Sequence, residues 1–234
     1  MDRLTRKGLK TDRFAAEVSH TVSFLSEHRQ QAVRYGIAGA VVLAVILGVF
    51  FYSKYQKVAR REALEAAVRV QQAPIGPALT GEGVSFATLA ERDKAAMKAF
   101  TELASRHGSS EEAAVSRYYL GAIAADQGRL ADAEKIFREV SDSGQAAYGS
   151  LAKVALAEIY AGQGKLAEAE KVLRAVMEQP TLFVSREQAA IELARLLAPA
   201  KPAEARKLLE PLRADKRSVV SRAALTQLAT LPSR

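Results

Sequence analysis

The residues best suited to chemistry are few. The chain has three histidines and no cysteine, which excludes thiolate nucleophiles, thiolate metal sites and disulfides. His20 and His28 lie eight residues apart, with no carboxylate or third ligand arranged to complete a metal site. His107 stands in Arg106-His107-Gly108, a helix-ending stretch where the exposed carbonyls favour a cation. Paired carboxylates could divide acid and base roles. They occur at Glu111-Glu112 and at Glu168 with Glu170, but at helix starts or beside Lys and Arg, as on a solvated face. No Gly-rich phosphate loop, G-x-S-x-G elbow or H-E-x-x-H helix is present. The sequence predicts no catalytic residues, no metal and no cofactor.

A chain without site chemistry works through its surfaces, so the elements that build them matter most. Alanine and leucine dominate, Trp is absent, and only seven Pro and fourteen Gly interrupt 234 residues, a composition that favours helices. The net charge of +8 could suggest nucleic acid, but its location argues otherwise. Residues 1–35 carry seven Lys/Arg against four Asp/Glu, and residues 36–72 carry five against two. Residues 73–234, the bulk of the chain, carry twenty-two against twenty and are nearly neutral. A nucleic-acid binder concentrates positive charge on its folded domain. This chain does not.

Residues 35–53 read YGIAGAVVLAVILGVFFYS, nineteen positions without a charge. At about 1.5 Å per residue they span roughly 28 Å, close to the hydrocarbon thickness of a bilayer. Tyr35, Tyr52 and Tyr55 mark the ends, where amphipathic rings prefer the headgroup layer. The bulky end Phe50-Phe51-Tyr52-Ser53 is unlike a signal-peptidase site, so the segment is expected to remain as an anchor. Gly36, Ala40, Ala44 and Gly48 recur every four residues, a stripe that lets another helix, from a second copy or a translocase, approach closely.

Orientation stays open on charge alone. Arg29 and Arg34 precede the span closely, whereas Lys54, Lys57, Arg60, Arg61 and Arg69 follow it. That local count puts the large domain in the cytoplasm. Counting Arg3, Arg6, Lys7, Lys10 and Arg13 as well reverses the balance. Over residues 12–33, Phe14, Val18, Val22 and Leu25 fall at helical spacing and predict an amphipathic helix.

Beyond the span, two stretches echo each other at an offset of 36 residues. Gln127-Gly128-Arg129-Leu130-Ala131-Asp132-Ala133-Glu134-Lys135 returns as Gln163-Gly164-Lys165-Leu166-Ala167-Glu168-Ala169-Glu170-Lys171. Each predicts a helix, a Gly turn and a second helix. Leu120-Gly121 and Leu156-Ala157 supply large and small positions on the first helices, and Ala133 with Phe137 and Ala169 with Leu173 supply them on the second. The period and pattern resemble the tetratricopeptide repeat. A looser third copy covers residues 187–209, with Ala205 and Leu209 in register and Leu193-Ala194 aligned to Leu156-Ala157 after a shift of one. An incomplete copy around Ala96 and Phe100 precedes the first. Residues 218–231, with Val219, Val220, Ala223, Leu225 and Leu228, are expected to cap the stack, and residues 73–85 read as a loop.

Stacked helix pairs leave an extended concave surface lined by the first helix of each pair. By register, Tyr118, Ala122 and Asp126 should face it in the first copy, Val154, Glu158 and Gly162 in the second, and Ile191 and Arg195 in the third. This mixture of apolar and charged groups suits a peptide or unfolded segment.

The expected fold is thus all-α: an amphipathic tail helix, one transmembrane helix and a tetratricopeptide-repeat-like solenoid. It divides into a tail over residues 1–34, a span over 35–55, a juxtamembrane helix and loop over 56–90, and repeats over 91–234. This layout, with Val22-Ser23-Phe24-Leu25-Ser26-Glu27-His28 before the span and Phe51-Tyr52-Ser53-Lys54-Tyr55-Gln56 at its end, resembles the YfgM-like family of ancillary SecYEG translocon subunits. The resemblance implies an inner-membrane protein with a cytoplasmic N-terminus and periplasmic repeats. It also implies partners among translocon subunits, periplasmic chaperones and unfolded chains. Two other readings of the residues remain: a scaffold with cytoplasmic repeats, and an assembly factor for a membrane enzyme complex.

Overall fold

The computed structural model describes residues 29–76 and 84–232, and among these the chain is all-helical. The amphipathic helix expected over residues 12–33 lies, up to residue 28, outside the described residues, as do His20 and His28. The chain forms two compact units, Met1–Val58 and Ala59–Arg234. Helix α1 (Arg29–Gln71) contributes to the first as far as Val58 and to the second from Ala59 onward. No proline interrupts it, and it stops shortly before Pro74 and Gly76, where the loop begins. In the first unit every described residue from Val33 to Tyr55 whose side chain is placed is exposed, including ten large aliphatic and aromatic side chains between Ile37 and Phe51.

The second unit continues with α2 (Leu89–Arg106), α3 (Glu111–Asp126), α4 (Leu130–Asp142), α5 (Ala146–Gly162), α6 (Leu166–Glu178), α7 (Arg186–Leu197), α8 (Pro202–Leu209) and α9 (Ser218–Thr230). A 3₁₀ turn, Glu210–Ala214, joins the last two. From α2 to α8 each helix packs on its successor, and α3 also touches α5, as α5 touches α7. That pattern of nearest and next-nearest contacts is a solenoid of helical hairpins.

Local chemistry sets the ends. Thr88, Ser110 and Ser185 accept hydrogen bonds from the backbone N–H groups of Glu91, Ala113 and Gln188, capping α2, α3 and α7. The two Gly turns are superimposable in bonding. Gly128 and Gly164 have φ of 72° and 75°, a left-handed conformation that a side chain disfavours. Arg129 N–H donates to Ala124 and Lys165 N–H to Tyr160, while each Gly N–H bonds the residue after that acceptor. Six-to-one and five-to-two bonds together close each helix with a Schellman motif.

The small and large positions predicted from the echo are the core. Ala133, Ala169 and Ala205 are fully buried, and so, one turn on, are Phe137, Leu173 and Leu209, with Ala96 and Phe100 repeating the pattern in α2. Leu193 and Ala194 are equally buried, as the one-residue shift predicts. The final part of α1 belongs to this core: Ala67, with Leu64, Val68 and Val70 around it, packs against Ala96, Phe100 and Ile123. The cap departs from expectation. Ala224, Leu228 and Leu231 of the C-terminal segment cover the core, while Val219 is 78% exposed and Leu225 47% exposed.

Two carboxylates are buried among these helices: Asp93, beside Arg92 at 3.2 Å, and Glu112. The Glu112 side chain, 6% exposed, accepts from Arg60 Nε at 3.2 Å. Burial penalises the carboxylate, but its own backbone N–H and the Arg60 guanidinium outweigh that penalty and hold its pKa below the usual range. Its place in the first turn of α3 adds the favourable end of the helix dipole.

Two predictions follow from packing and charge. A Cβ on Gly121 would lie 2.8–3.0 Å from three atoms of the buried Phe137 ring. Gly121→Val should therefore lower stability by about 2 kcal/mol, or ~4–8 °C in Tm by circular dichroism. A Cβ on Gly162 meets nothing within 4 Å, so Gly162→Ala should be neutral or raise stability by up to about 1 kcal/mol. Second, Glu112→Gln should cost about 1–3 kcal/mol at pH 7 by leaving Arg60 without its counter-charge. Because the folded carboxyl titrates below its unfolded value, that contribution is present above the unfolded pKa and fades as pH falls through the folded one. The Tm gap between wild type and Glu112→Gln should shrink on acidification, and a gap constant from pH 7 to pH 3 would refute the assignment.

Candidate functional site: a groove between α3 and α5

Along α3, Tyr118, Ala122, Ala125 and Asp126 share one face because they are spaced by three, four and seven or eight residues. Along α5, Ala155, Glu158, Ile159 and Gly162 do the same. These residues, with Leu130 and Phe137 of α4, line a groove of about 350 Å³. The volume exists because alanine and glycine occupy the positions where larger side chains would meet.

Five of the eight residues assigned to the lining by register, Tyr118, Ala122, Asp126, Glu158 and Gly162, come together here. Arg195 joins through an ion pair, its Nη2 lying 2.7 Å from Glu158, while its Nε lies 2.8 Å from Glu192. Val154 and Ile191 sit elsewhere. Both are half-buried, Val154 against Val176, Val184 and Ala189 and Ile191 against the core centred on Leu193. Ala155, one residue on from Val154, takes the place in the groove.

The groove's polar groups are unevenly matched. Burial raises the pKa of Tyr118, with Tyr119 and Glu158 adding to the effect, so its hydroxyl stays neutral. Glu158 is held by Arg195. Asp126 is exposed, ends α3 and has no cationic partner among the described residues. No Lys or Arg is among the lining residues of the groove.

From Tyr118 an aromatic strip leads away from the acidic end. Its ring lies 5.6 Å from that of Tyr148 on the first turn of α5, and Tyr148 lies 5.2 Å from Phe183, both edge-on. Phe183 belongs to a turn before α7 that is tied down on two sides. Thr181 N–H donates to Val184 carbonyl at 2.9 Å, the Thr181 and Ser150 hydroxyls are 2.6 Å apart, and Val184 is fully buried. The turn holds Leu182 outward at 91% exposure. The register reading passed over Tyr148 and Phe183. Tyr148 could have been found, since Tyr148, Ala155 and Gly162 are seven residues apart on one face.

The stripe Gly36, Ala40, Ala44 and Gly48 lies in the first unit. All four are exposed, and a Cβ on Gly36 or Gly48 would meet nothing within 4 Å.

No curated protein matches the chain. Two crystal structures of nearly identical TPR-like repeats, described as those of a kinesin light chain from Podosopora anserina, share 18% identity with it. One, of TM-score 0.52, aligns with 72% of this chain and 83% of its own; the other, a point variant, has a TM-score of 0.53 and aligns with 72% and 82%. At that identity the likeness concerns the fold alone. The sequence match is broader, because the tetratricopeptide repeat-like domain matches residues 31–207, the apolar helix as well as the repeats. The chain belongs to the tetratricopeptide repeat-like domain family.

Proposed function

We propose that this protein is a non-enzymatic scaffold, anchored in the bacterial inner membrane by one span and holding other proteins through its repeats. The observation that carries the reading is α1. Its apolar stretch is long enough to cross a bilayer, has mean hydropathy 2.3 over its most apolar 18 residues, and buries none of them. Ten large apolar side chains left half in water would cost on the order of 10 kcal/mol, comparable with the whole stability of a domain. Hydrocarbon removes that cost. That the family match begins at residue 31 supports reading the anchor and the repeats as one working unit.

In this reading residues 1–34 form a cytoplasmic tail, residues 35–55 the span and residues 91–234 a periplasmic repeat domain, with 56–90 between. The site is beside the SecYEG translocon, where the repeats link emerging chains to periplasmic chaperones. The likeness of residues 22–28 and 51–56 to the YfgM-like family supports it. So does the pairing of half-buried Arg60 with buried Glu112, which accounts for one of the basic residues after the span by packing rather than by orientation. Gly36, Ala40, Ala44 and Gly48 give the span a face for a neighbouring helix, from the translocase or a second copy.

A second reading, repeats in the cytoplasm, is favoured by exposed Lys54, Lys57 and Arg61. Reporter fusions after Gln72 and at the C-terminus separate the two. Alkaline phosphatase activity with dark green-fluorescent-protein fusions is expected. The reverse would sink the translocon reading and leave a cytoplasmic membrane-tethered scaffold. Once the repeats are shown to be periplasmic, capture in mild detergent should bring down translocase subunits or a periplasmic chaperone.

A further inference from the structure

The groove between α3 and α5 has a direction built into it. At one end both helices finish, α3 at Asp126 and α5 at Gly162, so the groove there is lined by the C-terminal ends of two helices and by two carboxylates, Asp126 and Glu158. Helix C-termini carry partial negative charge, which adds to that of the side chains. Arg195 answers Glu158, but Asp126 is left without a cation among the described residues. The opposite end is lined by Tyr118, and past it the apolar surface continues to Tyr148 on the first turn of α5, its ring 5.6 Å from that of Tyr118, with Phe183 against it. Between lie the alanines and Ile159.

From Tyr148 to Gly162 is fourteen residues of helix, about 21 Å at 1.5 Å each. An extended chain covers that distance in about six or seven residues at roughly 3.3 Å each. We infer that the groove selects an extended segment of about seven residues with a Lys or Arg at one end, seated at Asp126, and apolar side chains toward the other, seated along Ala155, Tyr118 and Tyr148. This rests on the protein-holding reading above and names what is held. The cation answers the one unbalanced charge of the groove, and the apolar residues cover surface that is now half-exposed. An acidic or wholly polar segment gains neither.

The test uses the full-length chain in nanodiscs of zwitterionic lipid, with empty nanodiscs as blank. Three fluorescein-labelled heptapeptides, each made in both chain directions, are titrated by anisotropy. One carries Lys followed by Leu and Phe, one has Glu for the Lys, and one has Ser for the Leu and Phe. The Lys-apolar peptide should bind at least tenfold more tightly than either of the others. Asp126→Asn should remove most of its advantage over the Glu peptide, and Asp126→Lys should reverse the preference; the side chain is exposed, so both should fold. Gly162→Trp, placed where a Cβ meets no neighbour, should block every peptide while leaving the Tm unchanged. Equal binding of the Lys and Glu peptides, or indifference to Asp126→Asn, overturns the charge selection. In that case sensitivity to Gly162→Trp still supports the groove as a protein-binding site. Binding that ignores Gly162→Trp, or no binding at all, overturns the inference and the groove together.

Discussion

The repeat domain depends on an interlock between a position too small to have a side chain and one that is large. Gly121 leaves a space that the ring of Phe137 fills, so α3 and α4 approach more closely than two ordinary helix faces could. One repeat later Ala157 and Leu173 occupy the equivalent places in the same core. The lost contact surface of a glycine is regained by the ring opposite it, and the close approach fixes the angle at which each hairpin leaves. Since every hairpin packs on the next, that local geometry is copied along the stack. The first helices then stand side by side, which is what gives the groove its walls.

The final turns of α1 extend the same logic beyond the recognisable repeats. Ala67 is 1% exposed in a core with Phe100 and Ile123, and Arg60 reaches Glu112 on the second helix beyond. The incomplete copy around Ala96 and Phe100 therefore has a partner helix, although that helix carries no repeat motif of its own. A stack whose end face is apolar needs such a cover, and here the chain leading from the apolar segment provides it. The other end is covered more thinly, with Ala224 the one fully buried residue of α9.

How much of this was legible depended on whether the cause was local. The 36-residue echo revealed Ala133, Phe137, Ala169 and Leu173 because repeated geometry demands repeated residues. The third hairpin was legible from Ala205 and Leu209 although Pro199 and Lys201 stand in its turn and Pro202 opens α8, since core positions vary less freely than turns. Tyr118, Ala122, Asp126, Glu158 and Gly162 line the groove and Ala155 stands there beside them, whereas Val154 packs against Val176, Val184 and Ala189, because one residue is about 100° of helix. Glu112 and Arg60 are 52 residues apart, and no local spacing joins them. Phe183 lies in a turn whose shape comes from a hydroxyl pair, Thr181 with Ser150, formed only once α5 is in place.

That turn has an energetic consequence. A side chain displayed on a loose loop loses conformational freedom when something covers it, and the loss subtracts from the gain of burying it. Leu182 has already lost the backbone share of that freedom on folding, because Thr181 is bonded on one side of it and Val184 is buried on the other. Whatever surface settles over the Leu182–Phe183 turn therefore keeps nearly the full benefit of excluding water from it. A small apolar contact there can hold as firmly as a larger one made by a flexible segment.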